Sequence, residues 1–562
     1  MIALTVIAYW AAPDPASPIH PGPWYSVLPP LLAVTLAIVT GRILSSLLLA
    51  IIIGGLLVAV PEAPLSVTAW ASGIYEGGHF VFISATSWGN IKLLVFVTLV
   101  LAMIATVIVA GGLHGIVEWL SRFAKGPRSV QFVTLLMGIT IFIDDYANTM
   151  IVGASMRPVT DTYKVSREKL AFLVDSTSAP VAGLAVVSTW VGYEVGLFAD
   201  QAQALGIHRT GYAMLFDALQ FRFYCIMMLF FVFISIVSGK DYGSMATAER
   251  RSRTTGALAH EDAVPMTSKA FSAAKPHVDA SIRAMTGVIP IVALFIFLLG
   301  GIWVDGGGGA ILMQNPSLLF SPHTWRNVIS DSEHSVDILA YAATFGLVLA
   351  AICARLLGKI DWTHIGKAVL SGARSSLLPI LILVLAWSLK EACDALRTGP
   401  FLVAAVGDVL SPAWFPAITF SIAALTSFST GTSYGTMAIL MPTAVPIAYH
   451  IEGSHYDLIT MITLAAILDG SIVGDHCSPI SDTTIMSSIS SSCDHLHHVR
   501  TQLPYSLTCA FLALSCGYIP AGLGVPSWVS LVMAVSFMAI LFWLLPQPAY
   551  RSEGVIAQPE TE

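Results

Sequence analysis

The sequence predicts an all-α polytopic membrane protein made of two inverted repeats. Each repeat has five spans and a re-entrant hairpin, and one extra C-terminal helix follows. Three observations carry that reading. Of 562 residues, 56% are hydrophobic and only 11% charged, whereas soluble domains carry about 25% charged residues. Uncharged runs such as Phe96–Val109 and Ala284–Val304 suit helices that need roughly 20 apolar residues to cross about 30 Å of hydrocarbon. The loops between such runs hold the basic residues in a lopsided way, which gives the chain an orientation.

About eleven spans are expected, near residues 27–41, 43–60, 91–120, 170–198, 213–238, 284–304, 337–357, 371–393, 457–490, 505–524 and 527–545. Residues 1–26 form an N-terminal segment. Met1–Ala12 is apolar but lacks the basic start of a signal peptide, and Pro13, Pro15, Pro18, Pro21 and Pro23 cannot continue a helix. The first repeat covers 27–238. With the N-terminus outside, all of the 27 Lys and Arg residues fall inside except Lys92, Arg209, Arg222, Arg326, Lys390 and Arg397. Arg122, Lys125 and Arg128 precede 131–158, and Arg157, Lys164, Arg167 and Lys169 close or follow it. Both ends of that segment therefore face the cytoplasm, and it enters and returns as a hairpin. Residues 239–283, rich in Ser, Thr and charge, read as a mobile cytoplasmic linker. The second repeat covers 284–525, and its hairpin near 400–450 begins and ends outside. Residues 526–546 form the extra helix, and 547–562 a disordered tail.

The two halves carry related punctuation. Asp175-Ser-Thr-Ser178-Ala-Pro180 in the fourth span resembles Asp475-His-Cys-Ser478-Pro479 in the ninth. Tyr146-Ala-Asn-Thr149-Met150 at one hairpin tip resembles Tyr434-Gly-Thr436-Met437 at the other. Inverted repeats with broken helices build secondary transporters, with sites at the repeat interface.

Ionisable groups within spans are costly and mark functional sites. Asp144 and Asp145 fall at the first hairpin tip with Asn148 and Thr149. Asp175, with Ser176 and Ser178, precedes Pro180. Asp469 and Asp475 are bracketed by Gly470, Gly474 and Pro479, and His476, Ser478, Asp482 and Thr483 follow. The second hairpin offers Thr430, Gly431, Thr432 and Ser433 but no carboxylate. A small hard cation needs several oxygen ligands. Gly and Pro free backbone carbonyls by interrupting a helix, hydroxyls add neutral oxygens, and carboxylates balance charge. Na+ is expected at a subset of Asp144, Asp145, Asp175, Asp469 and Asp475. Against this stand blander readings: membrane Ser and Thr hydroxyls commonly bond a helix carbonyl, one Asp of the tip could be a cap, and His476 is either a proton carrier or a packing residue. Asp217 and Arg222 read as a structural pair, and Asp494–His498 as a solvated loop.

At these residues the chain resembles the NhaC sodium/proton antiporter family, within the wider ion transporter superfamily. Ser429-Thr-Gly-Thr-Ser-Tyr-Gly-Thr-Met-Ala-Ile-Leu-Met-Pro442 and Gly470-Ser-Ile-Val-Gly-Asp-His-Cys-Ser-Pro-Ile-Ser-Asp-Thr-Thr484 carry the likeness. Asp144-Asp-Tyr-Ala-Asn-Thr149, Arg167-Glu-Lys169 and Asp175-Ser-Thr-Ser-Ala-Pro180 extend it, and it spans roughly residues 27–545. The resemblance implies a multi-pass bacterial plasma-membrane antiporter with a moving transport domain and a static scaffold, and by superfamily analogy a homodimer. Its expected partners are Na+, H+ and the lipid bilayer.

The leading expectation is exchange of Na+ for H+; the alternative is Na+- or H+-coupled exchange of a small organic acid or amino acid. No cofactor is expected beyond the transported ions. The sequence has no Gly-x-x-x-x-Gly-Lys-Ser/Thr motif for a nucleotide motor. An intramembrane protease is disfavoured because neither Asp408 nor Asp475 completes a Gly-x-Gly-Asp pattern, and His260-Glu261 lacks the second His of a zincin. The inverted repeat disfavours a passive channel. The net charge is -7 with no basic patch, which excludes a nucleic-acid partner. The seven cysteines, mostly in apolar segments, have no zinc or disulfide spacing and read as small hydrophobes.

Overall fold

Backbone groups in hydrocarbon have no water to bond, so a spanning chain must satisfy them within its own helices. The computed structural model describes residues 22–40, 42–61, 63–264, 276–332, 334–398, 401, 411–479 and 481–546. Every regular element among them is helical. Eight helical stretches are long and apolar enough to cross a membrane: Trp88–Val109, Phe223–Thr255, Met285–Asp305, Ser335–Leu356, Trp362–Ala395, Leu458–Cys477, His495–Gly522 and Ser527–Leu544. The protein is a multi-pass membrane protein. Twelve helices are labelled here: α1 (Trp88–Val109), α2 (Pro127–Thr140), α3 (Asp145–Thr162), α4 (Arg167–Ser176), α5 (Thr189–Leu205), α6 (Phe223–Ser238), α7 (Leu377–Ala395), α8 (Phe415–Thr430), α9 (Ser433–Ile451), α10 (Leu458–Cys477), α11 (Asp482–Ser491) and α12 (His495–Leu512).

Near the N-terminus the arrangement departs from the expectation. Val67–Thr86 is a helix that hydropathy did not single out, because Glu76, Gly77, Gly78 and His79 dilute its apolar character. It packs on Ile43–Ala59 and α7. The span expected near 91–120 is two helices, α1 and Gly112–Ser121, parted at Gly111 in left-handed backbone (φ 78°). α1 packs on Met285–Asp305, Ser335–Leu356 and Trp362–Ser375.

Two broken helix pairs face this group. α2 and α3 are joined by residues 141–144, and the hydroxyl of Tyr163 donates to the carbonyl of Ala124 at 3.3 Å. That bond brings the end of the second limb beside the start of the first, so the segment is a hairpin. α8 and α9 meet at Gly431, whose φ of 68° is a conformation that glycine adopts without a side-chain penalty. Both limbs pack on α10. Residues 402–410, in the expected second hairpin, lie outside the described residues.

α10 is apolar enough to span a membrane, yet nearly all of it is buried inside the protein. A Cβ on Gly474 would lie 2.3 Å from the carbonyl oxygen of Ala424 and 2.4 Å from the amide nitrogen of Phe428. α8 and α10 therefore touch backbone to backbone, as small residues allow in membrane helix pairs.

Gly243–Thr255 corrects the reading of the linker as a mobile spacer, because this part is a docked helix. Arg251 Nη2 donates to both carboxylate oxygens of Glu168 at 3.0 and 2.9 Å, and the amide of Ser166 donates to Glu249 at 2.8 Å. Residues 265–275 of the linker, and the terminal segments 1–21 and 547–562, lie outside the described residues. The expected pair of Asp217 with Arg222 is also corrected. Asp217 lies 3.7 Å from Arg209, while Arg222 faces Asp469 at 2.8 Å and Glu194 at 3.3 Å. Asp494 to His498 is not a solvated loop: the Asp494 side chain accepts the amide of His497 and caps α12. All seven cysteines are buried and unpaired.

Candidate ion-binding site

Helix interruptions leave backbone carbonyls and amides without helical partners, and the sequence supplies partners for them. The amide of Asn148 donates to the carbonyls of Gly138 (2.7 Å) and Ile141 (3.1 Å) on the first hairpin and of Thr177 (2.8 Å) at the end of α4. One side chain thus ties two breaks together. In the second half, the Ser427 hydroxyl donates to the carbonyl of Ser471 at 2.6 Å and the Ser478 hydroxyl to that of Phe428 at 2.7 Å. Gln502 donates to the carbonyl of His476 at 2.6 Å.

Four helices start at one place. Asp144 caps α3 through the amide of Ala147, Ser188 caps α5, Thr432 caps α9 through Gly435, and Ser481 caps α11. Their first residues, Asp145, Thr189, Ser433 and Asp482, all line one cavity of about 460 Å³. Asp144 and Asp475 line it too. Much of the remaining lining is apolar: Val97, Leu101, Ile104 and Ile108 of α1 with Pro379 and Ile382 of α7.

Asp144, Asp145 and Asp475 are buried, at 5%, 4% and 1% exposure, while Asp482 is exposed. Asp144 accepts the amide of Ala147 at 2.8 Å and the hydroxyl of Thr189 at 3.2 Å. The hydroxyl of Tyr146 donates to Asp482. Asp475 Oδ2 accepts weak bonds from Ser433 of the second hairpin (3.3 Å) and Thr483 of α11 (3.4 Å), whereas its Oδ1 is buried without a hydrogen-bond partner among the described residues.

The electrostatic balance decides what such a cavity holds. Each helix N-terminus carries about half a positive charge, so four contribute roughly +2. The four carboxylates contribute up to -4 against that when all are ionised. Among the described residues that line it, none is Lys, Arg or His. The balance favours cationic occupants, and the hydroxyls of Thr189, Ser433 and Thr483 offer them neutral oxygens.

Of the residues singled out in the sequence, Asp144, Asp145, Thr432, Ser433, Asp475, Asp482 and Thr483 line the cavity together. Others lie around it. Asp175 is sealed behind, accepting from Thr484 (3.2 Å), Ser487 (3.1 Å) and Gln502 (2.6 Å), with His476 and His498 each 3.8 Å away. His476 also meets the hydroxyls of Ser176 at 3.3 Å and Tyr224 at 2.7 Å. Thr149 and Ser178 donate to the carbonyls of Asp145 and Asp175, both at 2.7 Å. Thr430 approaches Thr436 at 3.5 Å, and Gly431 is the turn itself.

Asp469 stands apart from the cavity. It is held by Arg222 (2.8 Å), the amide of Tyr224 (2.7 Å), the hydroxyl of Tyr518 (2.8 Å) and Cys225 (3.2 Å). This acid, grouped in the sequence with the ion ligands, is spent on an internal cation because Arg222 reaches it across the fold. Lining residues that the sequence did not single out are Tyr146, Thr189, Trp190, Tyr193 and Tyr434. Tyr193 and Tyr434 stack at 4.3 Å, and the Tyr193 hydroxyl donates to the carbonyl of Tyr434 at 2.5 Å. Tyr146 and Tyr434 belonged to the matched hairpin tips, and that match was the available signal for them.

Residues 181–523 match the Na+/H+ antiporter family. An uncharacterised protein of Haemophilus influenzae is 29% identical over 522 residues, covering 92% of this chain and 95% of its own length. The Na+/H+ antiporter NhaC of Alkalihalophilus pseudofirmus is 27% identical over 175 residues, 30% of this chain and 37% of that protein. The fold is similar to that of Neisseria gonorrhoeae MtrF, described as one of a class of antimetabolite efflux pumps. The TM-score is 0.53 at 12% identity, covering 97% of this chain and 98% of that one.

Proposed function

The chain belongs to the Na+/H+ antiporter family, and from that premise we propose that it exchanges Na+ for H+ across the bacterial plasma membrane, with both ions competing for Asp144, Asp145, Asp475 and Asp482. The observation that carries this is Asp475: a buried carboxylate in the cavity, one oxygen without a donor and the other facing hydroxyls of two different elements. An orphaned buried acceptor is costly, and a proton or a cation each removes the cost.

Competition is enough for coupling. Na+ needs the ionised carboxylate, with Ser433 and Thr483 adding oxygens. A proton on the same group removes the charge that holds Na+. Each ion therefore expels the other, and no separate proton path is required. Asp175 acts behind this site: the Thr484 hydroxyl lies 3.2 Å from its carboxylate and 3.4 Å from the carbonyl of Asp475, so Asp175 positions the turn that bears Asp475.

The wall of α1 and α7 is the fixed side in this reading, and the hairpins with α10 and α11 move against it to open the cavity alternately. The two halves lie inverted in the membrane, with Arg157–Lys169 and Lys240–Arg283 in the cytoplasm, as their basic residues favour.

The test uses purified protein in liposomes with a trapped pH dye. External Na+ drives proton efflux through wild type, and Asp475→Asn reduces it to the protein-free level while eluting as a monodisperse species. Wild-type efflux in Asp475→Asn from about pH 6 to about pH 9, a range in which ordinary carboxylates stay ionised, places exchange elsewhere.

A further inference from the structure

We infer that the cavity joining Asp144, Asp145, Asp475 and Asp482 to four aromatic rings and an apolar wall also binds a small organic cation, an amine or guanidinium compound with a hydrocarbon body, which is exchanged against Na+ or H+. The inference rests on the reading that this cavity is the transport site.

Size is the first argument. The cavity measures about 460 Å³, within the roughly 300–1,000 Å³ of sites for small molecules. One water needs only about 10–15 Å³ of such space, so an alkali ion with its nearest ligands leaves most of it unfilled.

The wall chemistry is the second. A Na+ ion with its water shell gains nothing from Val97, Leu101, Ile104 and Ile108, which line the cavity along with the carboxylates. A hydrocarbon body does, because burying it there removes apolar surface from water. Tyr146, Trp190, Tyr193 and Tyr434 line the cavity too. Aromatic faces attract organic ammonium and guanidinium groups. The lining thus offers both kinds of group that an organic cation carries partners for: acids and aromatic rings for the charge, apolar side chains for the hydrocarbon.

Charge is the third, and it separates cations from anions. A carboxylate solute would enter beside four acids with no Lys, Arg or His among the lining residues to receive it. The helix N-termini that would favour an anion are already answered by Asp144, Asp145 and Asp482. Asp475 Oδ1, buried and without a donor, is the acceptor a charged N–H would meet.

Wild-type protein in liposomes loaded with Na+ tests this with labelled agmatine and methylguanidine. Both stay charged through their guanidinium groups, and protein-free vesicles correct for leak. The expected result is uptake that stops when the Na+ and pH gradients are collapsed, with agmatine raising the half-saturating Na+ concentration for proton efflux without lowering the maximal rate. Intact Na+/H+ exchange with neither compound carried nor inhibiting overturns the inference and leaves the parent reading standing. Uptake of malate or lactate in place of both cations overturns it as well. Guanidinium uptake against protons without any Na+ response supports the inference and removes Na+ from the parent reading. No flux with any solute overturns both.

Discussion

Asp469→Asn separates a strut from a ligand. The Asp469 carboxylate takes four donors, from Arg222, Tyr224, Tyr518 and Cys225, and is fully buried together with Arg222. Asparagine keeps the shape but turns one acceptor oxygen into an NH2 donor, so donor faces donor. Removing one partner of a buried ion pair costs about 3–5 kcal/mol. Glu194, 3.3 Å from Arg222, keeps the guanidinium partly compensated, so the lower end, about 3 kcal/mol, is expected. That is roughly a hundredfold in the folding equilibrium. Unfolding in mixed SDS and dodecyl maltoside micelles reads the loss, and transport per folded molecule is measured alongside. The half-saturating Na+ concentration should stay that of wild type. Arg222→Gln should cost less in the Asp469→Asn background than alone, since the pair is already broken. Undiminished stability with weakened Na+ affinity would refute the reasoning and make Asp469 an ion ligand.

Asn148→Ala leaves three carbonyls at the two breaks without their donor, and with about 1–3 kcal/mol per unsatisfied buried group it should lower stability in the same unfolding assay; an unchanged midpoint contradicts the clamp. Thr162→Cys, at the exposed end of α3, should resist membrane-impermeant thiol reagents from outside in intact cells, and efficient outside labelling contradicts the cytoplasmic hairpin. Burial pushes Asp494 up, but the amides of His497 and Val264 outweigh it and hold its carboxyl below the usual range. With the folded value depressed, its cap is present above the ordinary carboxylate range and lost as pH falls through the folded value. Asp494→Ala should therefore raise amide exchange at the start of α12 at neutral pH and remove the acid-dependent part of that exchange; identical exchange in both proteins contradicts the cap.

The helix breaks were legible because Gly and Pro announce them: Gly431, Gly474 and Pro479 stand where α8, α10 and their successors stop or touch. The basic residues around 131–158 marked a hairpin, and the Tyr163–Ala124 bond closes it. Pairings over long separations were not legible. Arg222 was matched to Asp217, five residues away, whereas its partner Asp469 is 247 residues away, and no periodicity encodes which distant acid will face it. The same limit hid the division between Asp475, which lines the cavity, and Asp175, which does not: their local sequences are alike, and only packing against Gln502, Ser487 and Thr484 seals one of them. Trp190 and Tyr193 were not singled out, because their ring chemistry is the same whether they fill a core or line a void. The docked helix Gly243–Thr255 was hidden by its polarity; the ion pair of Arg251 with Glu168 holds it there, and hydropathy does not register it.

The central claim is that Na+ and H+ compete for the cavity carboxylates, and proton release on Na+ binding tests it most directly. Purified protein in weakly buffered detergent solution is titrated with Na+ while pH and binding heat are followed at several starting pH values. The account predicts that Na+ binding releases protons and that, once the competing group is protonated, apparent Na+ affinity falls about tenfold per pH unit for each proton displaced. Both effects should vanish in Asp475→Asn. Na+ binding that releases no proton, with an affinity constant across the pH range, would contradict it.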